Sequence, residues 1–365
     1  MSGTFEYRFP AIKGIQAHRE YYVSMCPLKL IPKLFIFDEE ELVPEIRAQR
    51  ILNKSRIPEM ASYITSNKDS YIFSAITASI DGETVFKPLS EEAEFDRVGV
   101  LCVPMNAQFI INDGQHRRAA IEVALKSRPE VGDETIAVVF FRDRGLKRCQ
   151  QMFADLNRYA VKPSASLGLL YDHRDEKARL SRLVVAQSKT FKNLVEMEKS
   201  SLSPRSRKLF TLSALHQANC ALIGDADLDS VEDLADSCIE YWEEVASNIP
   251  EWSFVRQSKM TSGEVRRDFI HSHAIVLQVL GEVGRILQEA HPKSWKKKLT
   301  HLSEIDWSRS NGNLWEGRAM IGGRVSKARN NVSLTKNIVK QSMGLPLNPE
   351  ENRLEEAFRR GEHGQ

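Results

Sequence analysis

The sequence predicts an α/β (α+β) domain over residues 1–165, followed by a mostly helical domain over residues 166–365. Three observations support this division. Short runs of β-branched and aromatic residues recur up to residue 141, with helical patterns between them. From about residue 145 onwards, apolar residues recur at helical spacing instead. At 365 residues and 42% hydrophobic content, the chain is long enough to bury two cores.

The first domain combines predicted strands with two predicted helices. A run over residues 20–37, interrupted by Pro27 and Pro32, has the composition of an edge strand and a loop. Further strands are predicted over residues 71–80, 97–104, 107–111 and 134–141. One helix is predicted over 55–67, with Ser55 as its N-cap, and a second begins near Asp113. The last two strands and the helix between them therefore predict a βαβ-type unit.

From about residue 145 onwards the sequence shows a succession of amphipathic helical patterns. They cover residues 145–160, 213–224, 230–249, 267–290, 333–344 and 349–361. Gly344 is a predicted helix C-cap, with Pro346 beyond it. The last two helices form a predicted pair that resembles a helix-turn-helix, although the linker GLPLNP is longer than usual.

The charges are balanced in total but unevenly distributed. The 51 Lys and Arg and 49 Asp and Glu give a formal net charge of +2. Residues 225–244 contain nine acidic and no basic residues, whereas residues 317–343, here called the basic segment, contain six basic and no acidic residues. Two solvated helix faces of opposite sign would explain this pattern, and so would a surface that binds nucleic acid. Smaller basic patches at 204–209 and 293–299 favour nucleic acid.

The basic segment contains the candidate DNA contacts. Trp315, just before it, can stack on a base, and Gly322-Gly323 predicts a turn. The spacing of its basic residues suits a track of phosphates, and the last two lie four residues apart on one helix face. The predicted DNA-binding residues are Arg318, Arg324, Lys327, Arg329, Lys336 and Lys340.

Other features narrow the class of protein. The five cysteines show no C-x-x-C spacing, so neither a disulfide framework nor a zinc site is expected. His271 and His273 lie in an apolar pattern without further metal ligands, so we expect them to be packed. There is no signal peptide or membrane span, which predicts a cytoplasmic protein with no membrane partner. Neither a flavin nor a nicotinamide cofactor is expected.

The stretch NDGQHRRAA, residues 112–120, is the main candidate site. Here the chain turns from a predicted strand into a predicted helix, whose first N–H groups and dipole favour an anion. Gly114 would let a phosphate approach the backbone, and Arg117 can clamp its oxygens. Asp113 can hold a metal ion, while Gln115 and His116 can place a water or a proton. The alternative is an ordinary corner in which Asp113 caps the helix. It is not a P-loop.

The stretch resembles the signature of the DGQHR group within the ParB/sulfiredoxin superfamily. In that superfamily a Gly-x-x-Arg motif contacts phosphate, here Gly114 to Arg117. Segments 7–64, 152–167 and 314–340 resemble the DndB family of the bacterial DNA phosphorothioate modification system. The resemblance implies a ParB/sulfiredoxin-like first domain and a DNA-binding regulator, a transcriptional repressor of the modification genes. Sulfiredoxins have a cysteine where this chain has Gln115, so their redox activity is not implied.

Two functions remain open from the sequence. One is the regulator, nucleoid-associated, with double-stranded DNA, other proteins of the modification system and a second copy of the chain as expected partners. The other is a ParB-like hydrolase of ATP or CTP, acting on or switched by DNA, or a DNA-nicking enzyme. That enzyme would use Asp113, Gln115, His116 and Arg117 as catalytic residues, with Mg²⁺ held by Asp113. The predicted nucleotide- or phosphate-binding residues are Gly114, Arg117, Arg118, Arg50, Asn157 and Arg158.

Overall fold

The computed structural model describes residues 5–35, 54–92, 95–142, 146–158 and 163–361. These residues divide into two compact units, one within residues 1–161 and one within residues 162–365. The first is a mixed α/β domain and the second is mostly helical. None of the helices described is both long and apolar enough to cross a membrane.

The N-terminal domain is built on a seven-stranded mixed sheet. Its strands are β1 (Glu6–Gln16), β2 (Arg19–Pro27), β3 (Ile76–Asp81), β4 (Val85–Pro88), β5 (Val98–Pro104), β6 (Gln108–Asp113) and β7 (Thr135–Arg142). They lie in the order β4-β5-β1-β2-β7-β3-β6. Alternate residues of the central strands, such as Phe9, Tyr22, Val138 and Phe140, face one apolar core. The predicted strands within residues 97–104, 107–111 and 134–141 are therefore confirmed. The run over 20–37 does contain a strand, but the prediction of an edge strand and a loop is wrong, because β2 lies between β1 and β7 and residues 28–34 are helical.

Four α-helices accompany the sheet among the residues of this domain that the structure describes. They are α1 (Ile31–Leu34), α2 (Arg56–Ser66), α3 (Gln115–Ser127) and α4 (Leu146–Arg158). Helix α2 packs along α3, and α4 packs against β6. The buried residues Ala120, Ile121 and Ala124 of α3 join the core formed by the sheet. These contacts fix the direction in which α3 leaves β6, and that corner contains the candidate site.

The predicted βαβ unit is wrong. Strand β3 lies between β6 and β7, antiparallel to β6 and parallel to β7. Strands β6 and β7 therefore run in opposite directions, and α3 is not a crossover between parallel neighbours. Strand β3 also begins at Ile76 rather than at residue 71. Strands β1 and β4 were not predicted, because Pro10 and Gly14 interrupt the alternation in β1 and because β4 is short and exposed.

The C-terminal domain contains eleven helices within residues 163–361. They are α5 (Ala165–Tyr171), α6 (Glu176–Gln187), α7 (Leu212–Ile223), α8 (Val231–Ser247), α9 (Pro250–Arg256), α10 (Ser262–Asp268), α11 (Ala274–Ala290), α12 (Trp295–Leu299), α13 (Gly312–Trp315), α14 (Arg329–Ser342) and α15 (Pro349–Arg359). Two short strand pairs join β8 (Val195–Glu196) to β9 (Phe210–Thr211), and β10 (Met320–Ile321) to β11 (Arg324–Val325).

The core of the C-terminal domain is rich in aromatic side chains. Trp242, Trp252, Phe191 and Phe210 are almost completely buried, and their rings contact one another mainly edge to face. Helix α11 lies at the centre and packs closely on α7. Aromatic burial of this kind supplies much of the hydrophobic stabilisation of a helical domain.

The helix predicted over residues 267–290 is interrupted. Helix α10 ends at Asp268, and α11 begins only at Ala274. The backbone between them bonds elsewhere: Ile270 N–H donates to the Trp307 carbonyl at 3.0 Å, and Arg309 N–H donates to the Asp268 carbonyl at 2.8 Å. Bonds to a segment about forty residues away thus replace helical bonds, and local periodicity cannot reveal them.

His271 is fully buried in the non-helical segment between α10 and α11. Its Nδ1 accepts a hydrogen bond from Trp252 Nε1 at 3.0 Å, and its Nε2 lies 3.4 Å from a Glu251 carboxylate oxygen. Burial lowers the pKa of His271, and the Glu251 carboxylate opposes that shift only in part. Burial likewise lowers the pKa of His216 and of His273. The folded domain therefore favours the neutral form of all three imidazoles.

We expect the C-terminal domain to lose stability as the pH falls below about 6.5, the ordinary histidine pKa. The unfolded chain takes up protons there first, and each proton contributes at most about 1.4 kcal/mol per pH unit. Urea unfolding of the full chain between pH 7.5 and pH 5.5 measures the change. His271→Asn should flatten the dependence, whereas His173→Asn, at an exposed position, should not. A free energy of unfolding that stays constant or rises on acidification would contradict this prediction.

Candidate functional site

The residues Asp113 to Arg117, here called the DGQHR corner, join β6 to α3 as the sequence predicts. Gly114 is the N-cap residue of α3 and has a left-handed backbone, with φ 108°. No side chain caps this helix, so the alternative in which Asp113 acts as the cap is not what the structure contains. A Cβ on Gly114 would lie 3.1 Å from Arg117 Nε and from Ile76 Cγ1. Glycine is therefore favoured both by the backbone angle and by close packing.

Arg117 lies over Gly114 and is held at two points. Its Nη2 donates to Asp113 Oδ2 and its Nη1 to Ser74 Oγ, both at 2.5 Å. Its Nε is buried and has no hydrogen-bond partner among the described residues. The guanidinium is thus fixed beside the start of a 13-residue helix, with its buried Nε donor unused. This arrangement suits a phosphate oxygen that approaches the corner.

Gln115 and Arg118 are engaged inside the domain. Gln115 is buried, and its amide nitrogen donates to the Ile111 carbonyl at 3.2 Å. Arg118 donates to the Phe35 carbonyl at 2.9 Å and to a Glu122 carboxylate oxygen at 2.5 Å. Both side chains therefore connect α3 to the rest of the domain. These contacts do not support the predicted role of Gln115 in placing a water or of Arg118 in binding phosphate.

His116 is half-buried and lies near several charges. Burial lowers its pKa, the positive charges of Arg56 and Arg117 lower it further, and the Asp113 carboxylate opposes them. His116 is therefore mainly neutral near pH 7. Arg56, the first residue of α2, is thus a second cation whose charge acts at the DGQHR corner.

The DGQHR corner offers one carboxylate for a metal ion, that of Asp113. No group of three or more His, Cys, Asp or Glu side chains able to hold a metal ion occurs within the described parts of the chain. Mg²⁺ often takes one or two carboxylates and completes its shell with phosphate oxygens and water. A metal ion bound by Asp113 would have to share that carboxylate with Arg117, which contacts its Oδ2.

The remaining predicted phosphate contacts are less well defined. Arg50 lies outside the described residues, and of Asn157 only the position on α4 is described. Arg158 is exposed at the end of α4, the helix that packs against β6. The structure therefore brings together Asp113, Gly114, His116 and Arg117, with Arg56 added, but shows no contact from Arg158 to this group.

Three predicted DNA contacts of the basic segment are used inside the domain. Arg318 is 6% exposed and forms two hydrogen bonds to Glu355, at 2.8 Å and 2.6 Å. Lys340 is buried against Glu351 at 2.5 Å, and Lys336 lies between Glu282 and Glu351. Because these cations hold α14 and α15 together, we remove them from the predicted DNA surface.

Trp315 also differs from its prediction. It is fully buried, stacks on Trp307 with ring centroids 5.5 Å apart, and donates to the Asp306 carbonyl. It is therefore not available to stack on a base. Gly322 and Gly323 do form the predicted turn, between β10 and β11, and both have a positive φ. Glu316 accepts hydrogen bonds from both of their N–H groups, which fixes the turn.

Arg324, Lys327 and Arg329 are the exposed cations of the basic segment. Arg324 follows the glycine turn, and Arg329 is the first residue of α14. Lys327 donates to the Gln217 amide oxygen. Partial burial lowers the pKa of Lys327, and the charge of the Glu282 carboxylate opposes that shift. None of the three forms an ion pair with any carboxylate that the structure describes. Unneutralised cations on neighbouring positions are what contact with a phosphate backbone requires.

Sequence reasoning missed Ser74, which holds Arg117 in place. It lies 43 residues before Arg117, in the irregular stretch that leads into β3. No pattern in the sequence identifies such a partner, because the contact depends on β3 pairing with β6. Arg56, by contrast, belongs to a short basic stretch with Arg50 and Lys54 that is visible in the sequence.

Comparison with known protein families gives a match over most of the chain. The sequence model of the DndB family, described as DNA-sulfur modification-associated, matches residues 9–346. No curated protein and no solved structure matches the chain significantly. The match covers both domains, the DGQHR corner and the basic segment.

Proposed function

Because the chain belongs to the DndB family of DNA-sulfur modification-associated proteins, we propose that it is a DNA-binding regulator of the modification genes. In this proposal Arg324, Lys327 and Arg329 contact DNA phosphates, and the DGQHR corner binds a phosphate group. The observation that carries the proposal is the group of three exposed cations without carboxylate partners among the described residues. The other three cations of the basic segment, Arg318, Lys336 and Lys340, pair with carboxylates of the same domain. The three exposed cations therefore remain available for an external anion.

The DGQHR corner supports binding of phosphate more than hydrolysis. A hydrolase would need Asp113 and Gln115 to hold a metal ion and water. Asp113 pairs with Arg117, and Gln115 is turned into the domain. By contrast, a phosphate needs only the first N–H groups of α3 and the guanidinium of Arg117. A bound phosphate would compete with Asp113 for that guanidinium.

The proposal is tested by DNA binding together with gene expression. The full chain is titrated onto promoter DNA of its own modification genes and onto unrelated DNA of equal length, and a reporter measures promoter activity. We expect tighter binding to the promoter and lower reporter output when the protein is present. Equal affinity for both DNAs, with an unchanged reporter, would contradict a regulatory role.

We expect Asp113→Asn to strengthen the binding of nucleotide phosphates about three- to tenfold. The change removes a repelling carboxylate and frees the guanidinium of Arg117, an effect of about 0.7–1.4 kcal/mol. Calorimetric titration with ATP and with CTP measures it, and Arg117→Met should abolish binding in the same assay.

The same variant separates binding from hydrolysis. If Asp113 were a metal ligand, Asp113→Asn would weaken nucleotide binding in the presence of Mg²⁺ and abolish any phosphate release. If the unchanged protein releases phosphate and Asp113→Asn does not, the chain is a hydrolase. That result would overturn the purely binding role of the DGQHR corner.

A further inference from the structure

A second candidate site lies within the helical domain and is lined by residues between 200 and 274. It is a cavity of about 710 Å³, formed where helices α7, α10 and α11 begin. We call it the helix-start cavity. Its size falls in the range of pockets that hold small organic molecules. It shares no residue with the DGQHR corner or with the basic segment.

The first turn of α11 faces this cavity. The helix is 17 residues long, and its N-cap residue, His273, provides no side-chain cap. His273 instead hydrogen-bonds through Nε2 to the Arg266 carbonyl at 2.9 Å. Because the helix is interrupted between α10 and α11, the N-terminal end of α11 is open to the cavity. The positive end of its dipole favours an anion there.

Ser272 provides an independent indication of a ligand. It lines the cavity and is only 5% exposed, yet its hydroxyl has no hydrogen-bond partner among the described residues. Buried hydroxyls are almost always paired, because an unpaired one loses its bonds to water without replacement. An acceptor atom of a ligand in the cavity would satisfy it.

The charge of the cavity wall also favours an anion. The Arg266 guanidinium donates to main-chain carbonyls, including those of Ser203 and Pro204, and has no carboxylate partner among the described residues. Burial lowers the pKa of Arg266, with no carboxylate to oppose the shift. The Glu264 carboxylate lines the cavity too, but it is held by Thr261 in a capping box. One cation of the wall is therefore left without a counter-ion.

Part of the wall is apolar, although Ser200, Ser201, Thr211 and Arg267 line the cavity as well. The apolar part includes Leu202, Leu209, Phe210, Ala214 and Ala274. We propose that the helix-start cavity binds a small organic anion, with a carboxylate or phosphate at the start of α11 and an apolar body against Leu209 and Phe210. Such a ligand would satisfy the Ser272 hydroxyl and balance the charge of Arg266. This site is independent of the function proposed above.

Phenyl phosphate is the probe, and benzyl alcohol is its neutral control. Binding to the full chain is measured by saturation-transfer NMR and calorimetry. We expect phenyl phosphate to bind at least tenfold more tightly than benzyl alcohol. Ser272→Ala should weaken the binding of phenyl phosphate about three- to tenfold. It should not lower thermal stability, because the lost hydroxyl has no partner among the described residues. Ala274→Leu, which places a larger side chain at the start of α11, should abolish binding.

Two results would overturn the proposal. One is equal binding of both probes, and the other is binding of phenyl phosphate that neither Ser272→Ala nor Ala274→Leu changes. Arg117→Met distinguishes the two sites. If only Arg117→Met loses binding of phenyl phosphate, the anion binds at the DGQHR corner and the proposal is overturned. If Arg117→Met binds as the unchanged chain does and Ala274→Leu does not bind, the result supports the helix-start cavity.

Discussion

Replacing Glu355 with glutamine is expected to lower the free energy of unfolding by about 3–5 kcal/mol. Glu355 and Arg318 are almost completely buried and joined by two hydrogen bonds, and the guanidinium also lies 4.1 Å from the centre of the Phe358 ring. Burial alone would raise the pKa of Glu355, but the bonds and charge of Arg318 hold it below its ordinary value. Without the carboxylate, Arg318 would be a buried charge with no counter-ion.

Chemical denaturation of the full chain measures this loss. Glu356→Gln removes an exposed carboxylate from the next position of α15 and should change stability by less than about 0.5 kcal/mol. The double change Arg318→Met with Glu355→Leu should recover most of the loss, because apolar side chains can replace a buried ion pair. Equal stability of Glu355→Gln and Glu356→Gln would show that Arg318 is not buried against Glu355, and Arg318 would return to the predicted DNA surface.

Gly281→Ala is expected to destabilise the helical domain by about 2–4 kcal/mol. Gly281 lies in α11, where the helix crosses α7, and a Cβ there would lie 2.2 Å from the Ala218 carbonyl oxygen. Backbone atoms cannot move aside as a flexible side chain can, so the two central helices would have to separate. Thermal and urea unfolding measure the effect.

Gly168→Ala is the matched control for Gly281→Ala. Gly168 is also helical, in α5, but nothing lies within 4 Å of a Cβ built there. Alanine should therefore stabilise the protein by about 0.5–1 kcal/mol through its higher helix propensity. The two changes are chemically identical and should have opposite signs. Destabilisation of the same size at both positions would contradict the close approach of α7 and α11.

The DGQHR corner was predictable because its signals are local. Gly114 interrupts an apolar strand pattern just before a helical one, and the same short stretch contains Asp113 and Arg117. Its partners were not predictable. Ser74 reaches Arg117 only because β3 pairs with β6, and that pairing also separates β6 from β7. Sheet order depends on contacts between residues distant in the sequence. The βαβ prediction was therefore wrong, although the strand-to-helix corner was predicted at the correct position.

The basic segment shows a second limit of the sequence. Its six cations look equivalent in the sequence, and Lys336 and Lys340 share a helix face as predicted. Their acidic partners, however, lie on other helices, such as Glu351 on α15 and Glu282 on α11. A charge pattern along the chain gives the sign of a surface but not which charges face inward. The structure reduces the candidate DNA contacts to Arg324, Lys327 and Arg329.

The salt dependence of DNA binding tests the proposed DNA surface most directly. The unchanged chain is compared with Arg324→Gln/Lys327→Gln/Arg329→Gln and with a control, Lys33→Gln/Lys68→Gln/Lys126→Gln, which removes three exposed lysines of the N-terminal domain. We expect the triple change in the basic segment to weaken binding strongly and to reduce the slope of log K against log salt by about 2.7, which is 0.9 for each lost phosphate contact. The control should keep nearly the full slope. Equal slopes for all three proteins would contradict the proposal that these residues contact DNA.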